Sequence, residues 1–113
     1  MASKQSTVDY ILDQLAPLEG SWARRMFGNY ALYSLGKVVG LVCEDKLYIK
    51  ITEKGKEFVG EHYREGYAYE GARVSMLIDE DLIEDREWLC KLVQITAESL
   101  PTSKVKKTKT VLK

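Results

Sequence analysis

The 113-residue chain predicts an α+β domain, with helices packed on a predominantly antiparallel five-stranded sheet in the order α-β-β-β-α-β-β-α. Three observations lead there. Residues 24–52 alternate like strands and are broken by short polar, Gly-containing segments. Residues 8–18 and 88–100 repeat apolar positions at three- and four-residue spacing, as helices with one buried stripe do. Residues 67–78 hold a second, smaller pair of strand-like runs around Glu70-Gly71.

Each element has its own signal. Ser6 or Thr7 is placed to cap the first helix, Asp9 suits the positive end of its dipole, and Val8, Ile11, Leu12 and Leu15 form its stripe before Pro17 and Gly20 end it. The stretch Arg24 to Thr52 then reads as three strands and two tight turns, at Gly36-Lys37 and at Glu44-Asp45-Lys46. Val38 to Cys43 is apolar on both faces, which suits a central strand, whereas Leu47, Ile49 and Ile51 alternate with Tyr48, Lys50 and Thr52. Gly28 sits inside the first strand-like run and marks a bulge or a close backbone approach.

Glu53 to Tyr63 reads as a helix with Phe58 and Val59 inward, weakened by Gly55 and Gly60. Tyr67 to Tyr69 and Arg73 to Ile78 supply the last two strands. The acids from Asp79 to Asp85 then lead into a final helix whose inward positions are Trp88, Leu89, Leu92, Val93 and Leu100. Pro101 closes it. Residues 1–100 are therefore expected to fold as one domain and residues 101–113 to form a Lys-rich flexible tail.

Seventeen basic residues balance seventeen acidic ones. Five of the lysines fall in residues 101–113, which leaves the remainder with twelve basic against seventeen acidic residues, a net of about −5. A body of that sign does not attract phosphate over most of its surface. No apolar run approaches the roughly 20 residues of a membrane span, and the first residues lack the apolar core of a secretory signal. With two unpaired-looking thiols, Cys43 and Cys90, the expectation is a cytoplasmic protein.

Reactive chemistry finds little to work with. His62 is the single histidine, so sites that need two are excluded, and Cys43 and Cys90 have no neighbouring metal-ligand partner. Asp79, Asp81, Glu84 and Asp85 resemble a calcium loop only at its start, since Glu84 stands at the required glycine and Cys90 at the required glutamate. No cofactor, metal or catalytic group is expected. Arg24 and Arg25, adjacent in a strand, must point to opposite faces, so one reaches solvent or a partner while the other is expected to pair with an internal acid. Tyr63, Tyr67 and Tyr69 are candidates to stack on bases, and Lys104, Lys106, Lys107 and Lys109 to hold phosphates in a salt-sensitive contact.

Arg25, Met26-Phe27-Gly28, Tyr30, Leu32-Tyr33, Gly36-Lys37, Gly40-Leu41-Val42, Asp45 and Leu47-Tyr48-Ile49-Lys50 together resemble the N-terminal domain of the TfoX/Sxy family, bacterial proteins named for regulating natural competence. Asn29 and Ala31 stand where that family usually has glycine, and Val39 where it usually has phenylalanine. The resemblance implies a fold similar to type III secretion chaperones. It also implies a single-domain member of a family whose longer members act as co-activators beside a DNA-binding transcription factor. The functional expectation is a non-enzymatic regulatory adaptor that binds a protein partner, possible transcription factors included, through Arg24, Arg25, Phe27 and Tyr30 or a sheet edge. A homodimer is left open by the free strand edges. The alternative is a nucleic-acid binder that uses the lysine tail and the tyrosines.

Overall fold

The computed structural model describes residues 3–101. The chain runs α1 (Gln5–Gln14), β1 (Trp22–Met26), β2 (Asn29–Ser34), β3 (Lys37–Cys43), β4 (Lys46–Ile49), α2 (Glu53–Val59), a 3₁₀ turn (Gly60–His62), β5 (Glu65–Tyr67), β6 (Val74–Ile78), α3 (Glu80–Ile83) and α4 (Arg86–Ser99). One antiparallel sheet carries all six strands in the order β1-β2-β3-β4-β6-β5.

The sixth strand corrects the expected five, and the reason lies at Phe27-Gly28. Both residues have positive φ, 49° and 84°, which is the signature of a two-residue type I′ turn. The run that reads as one strand with a bulge is therefore a hairpin, with Met26 paired to Asn29. Phenylalanine is disfavoured in that region of φ, so the sequence does not announce the turn. The same device recurs at Leu35-Gly36 (54° and 76°) and Glu44-Asp45 (52° and 64°). The bulge is displaced to the β2–β3 ladder, where Leu32 pairs with Gly40 but Tyr33 with Val38, leaving Val39 unopposed.

Helices cover one face only. Alternate residues of the central strands, Leu32, Val42, Leu47, Ile49, Met76 and Ile78, are buried there against Val8, Ile11 and Leu15 from the α1 region and Leu89, Leu92, Val93 and Ala97 of α4. Each fully buried side chain of this kind contributes about 1.5–3 kcal/mol. α4 crosses β2 and β3, with α1 and α2 packed against it. Asp85 caps its start by accepting from the Trp88 N–H at 3.2 Å, and the Lys37 ammonium donates to the carbonyls of Ala97 and Leu100, both at 2.8 Å, at its end. α3 is a separate short helix within the acidic run, and the buried Gln14 amide closes it by donating to the Ile83 and Glu84 carbonyls.

Neither Ser6 nor Thr7 caps α1. Its N-cap is Lys4, whose side chain makes no cap, and the acceptor comes from the β3–β4 turn instead. Asp45 Oδ1 accepts from the Lys4 N–H and from the Thr7 hydroxyl, each at 2.8 Å, and in that order these bonds hold its carboxyl below the usual range. The fifth strand is also displaced, to Glu65–Tyr67, so Tyr69 lies in the turn that follows, where Ala72 N–H donates to the Tyr69 carbonyl and Gly71 adopts φ 87°.

Candidate docking face

The pleat sends every second residue to the face that no helix covers. Following the register, that face presents Trp22, Arg24 and Met26 of β1, Ala31 and Tyr33 of β2, Leu41 and Cys43 of β3, Tyr48 of β4 and Leu77 of β6. It is mostly apolar. Trp22 stacks on Tyr33 with ring centroids 4.1 Å apart, and Tyr48, only 8% exposed, lies against Gly66, where a Cβ would stand 3.2 Å from its ring.

A groove of about 390 Å³ opens at one end of this face, lined by Met26, Phe27, Leu41, Cys43 and Tyr69 among others. Tyr69 follows β5, which is the strand farthest from β1, yet it lines the same groove as Met26. Phe27 is fully exposed, at 100%, on the tip of the β1–β2 turn. Asn29, one of the departures from the family's usual glycine, ties this tip down. Its Oδ1 accepts from the Glu44 N–H at 3.2 Å and from the Ser3 hydroxyl at 3.1 Å, while the Ser3 N–H donates to the Gly28 carbonyl.

Of the sequence-predicted partner residues, Arg24 falls on the open face and Arg25 on the other, both exposed at the β1 edge. Neither joins an ion pair among the described residues. Phe27 lies at the groove. Tyr30 also lines the groove, although its ring is buried on the helix side and its hydroxyl donates to the Gln5 amide oxygen at 2.8 Å. Met26, Leu41 and Cys43 line the groove without a sequence expectation to do so, and Tyr69, expected only as a base-stacking side chain, joins them. The alternation of β3 could have placed Leu41 and Cys43 on one face, but nothing local shows that Tyr69 reaches them. Lys104, Lys106, Lys107 and Lys109 lie outside the described residues. Tyr67 and Tyr69 are exposed, whereas the Tyr63 hydroxyl donates to Glu65 and its ring receives the Lys56 ammonium at 4.8 Å.

The groove holds a thiol that is not activated. Burial first, then Glu44 beside it, pushes the Cys43 pKa up, so it is a neutral thiol at pH 7. Burial likewise raises Cys90, against the opposing effects of Arg86 and the Leu18 backbone, and Tyr48, where Cys43 and Glu44 add to it. The sign follows from linkage. Above the ordinary thiol value of 9.0 the unfolded chain sheds protons that the folded chain keeps, so stability falls as pH rises. Urea midpoints measured at pH 8 and pH 10 are expected to drop between the two, and the drop should shrink in Cys43→Ala.

A second hollow, of about 590 Å³, lies between the start of α1 and α3 and is of mixed character, with Lys4, Asp45, Glu80 and Glu84 beside Tyr10 and Ile83 in its lining. Its Asp45 is occupied with Lys4 and Thr7. His62 is exposed and lines neither hollow. Among the described residues no cluster of three metal-ligating side chains occurs, and no helix is long and apolar enough to cross a membrane.

A six-stranded antiparallel sheet, with helices on one face and an apolar, Phe-tipped groove on the other, makes this a small α+β domain with one sheet face left open. The TfoX N-terminal domain model matches residues 13–100, and the chain belongs to that family. It is also 37% identical over 110 residues to an uncharacterized 12.7 kDa protein in the trpE 5′ region of Spirochaeta aurantia, a match that covers 97% of this chain and 94% of that protein.

Proposed function

We propose that this chain is a non-enzymatic adaptor that binds a protein partner on the open sheet face, in transcriptional regulation of the competence type. The observation that carries the reading is Phe27. A large aromatic ring is held fully in water, in a backbone region that costs an L-residue about 1–2 kcal/mol, at a site where asparagine would relieve the strain. Exposed apolar side chains grouped around a groove mark interaction sites, and Met26, Leu41 and Tyr69 supply the group. Family membership supports the regulatory role.

The test exploits the strain. Phe27→Asn creates Asn-Gly, the preferred type I′ pair, and is expected to stabilise the fold by about 1 kcal/mol, or roughly 4–8 °C in Tm. The same substitution should lose the partner. Affinity capture from native cells with wild type and Phe27→Asn, read beside thermal melts, decides it: partners lost at raised Tm support the adaptor, and an unchanged set of captured proteins refutes this face.

A further inference from the structure

β1 is an edge strand with an unused hydrogen-bonding side. In a hairpin with a two-residue turn the pair that closes the turn bonds inward, so Met26, Arg24 and Trp22 bond to β2. The N–H and C=O groups of Ala23 and Arg25 then face outward, and no backbone partner outside the β1–β2 ladder meets them among the described residues. At the other edge β5 has three residues against five in β1, so β1 is the longer template.

The charges on β1 select the occupant. A second copy paired antiparallel along all five residues would set the two Arg24 side chains opposite each other, and like charges across a ladder repel. The chain's own residues 101–113 carry five lysines and no acid, so they are repelled as well. An extended acidic segment of another protein is attracted. We infer that β1 accepts such a segment as a seventh, antiparallel strand with the pattern apolar-acid-acid-any-apolar. Its acids sit opposite Arg25 and Arg24, and its apolar residues sit beside Met26, at the groove, and beside Trp22, at the other end of β1. This deepens the protein-docking reading and rests on it.

The probe is a labelled peptide with the core Leu-Glu-Asp-Thr-Phe, titrated with the full chain by fluorescence anisotropy. Binding is expected in the tens-of-micromolar range, roughly, and at least about ten-fold weaker when both acids are lysine. The charge-reversed chain, Arg24→Glu with Arg25→Glu, should invert that preference. N-methylation of the Glu and Thr amides, which face β1, should abolish binding, whereas N-methylation of the Asp amide should not. No binding, equal binding of the lysine peptide, indifference to the position of the methyl group, displacement by a DNA duplex of equal charge, or a stable dimer that excludes the peptide would each overturn the inference. If the peptide fails while Phe27→Asn still loses its cellular partners, strand addition is wrong and the docking face stands. If the peptide binds and Phe27→Asn keeps every partner, the edge stands and the groove reading falls.

Discussion

Gly40→Ala is expected to cost about 3 kcal/mol or more and to lower Tm by more than about 12 °C. A Cβ built on Gly40 would overlap the Tyr48 carbonyl oxygen and stand 3.2 Å from the Ile49 Cα and 3.1 Å from its Cδ1. Two of these three obstacles are backbone of the neighbouring strand, which cannot rotate away as a side chain can. Val39 bulges out beside it, which lets the Lys50 N–H reach the Val39 carbonyl at 2.8 Å and draws β4 close. Gly36 is the control. A Cβ there meets nothing within 4 Å, so Gly36→Ala bears only the strain of φ 76°, about 1 kcal/mol. Thermal melts followed by circular dichroism separate the two. Equal Tm values would show that the β3–β4 approach is looser than described.

The contrast between glycines also shows what could be read from the chain. Gly28 and Gly40 both interrupt apolar, strand-like runs, and the same signal fits a turn, a bulge or a close approach. Assigning the bulge to Gly28 hid a hairpin and left the sheet one strand short. Only pairing with another strand distinguishes the cases, because the crowding at Gly40 comes from Tyr48 and Ile49. Much of the local patterning holds, although Tyr48, which alternates with Leu47 and Ile49, is buried as well and β4 ends at Ile49. Leu47 and Ile49 alternate into the core, Val39 and Val42 are buried on a central strand, and Leu89, Leu92 and Val93 form the inward stripe of α4. The cap of α1 was missed for the same reason as the bulge: its acceptor, Asp45, lies 41 residues from Lys4.

The candidate site follows this division. Its period-two half, Arg24 and Met26 on one face with Arg25 on the other, is written in β1, and the opposed arginines were expected from the strand period alone. Tyr30, next to them in sequence, also borders the groove, while its register opposite Val42 turns its ring to the helix side. Tyr69 lines the groove although it follows β5, the strand farthest from β1 in the sheet, a fact of tertiary structure. A surface assembled from both ends of a sheet is not legible in any single window of residues.

A pair of leucine substitutions tests whether the two faces are energetically distinct, as a docking surface requires. Leu92 is fully buried in α4 beneath the sheet, whereas Leu41 is half-buried on the open face at the groove. Leu92→Ala removes side-chain atoms from a closed core and leaves a cavity, which costs about 2–5 kcal/mol. That is a large share of the roughly 5–15 kcal/mol that holds a small domain folded. Leu41→Ala opens onto a groove already in contact with water, so no closed cavity forms, and the loss should stay below about 1 kcal/mol. Urea titrations at neutral pH measure both. Similar midpoints for the two variants would mean that the open face is part of the folding core. A large loss at Leu92 with little at Leu41 would leave the apolar groove without a structural purpose of its own, and Leu41→Ala would then be a clean second probe of partner capture beside Phe27→Asn.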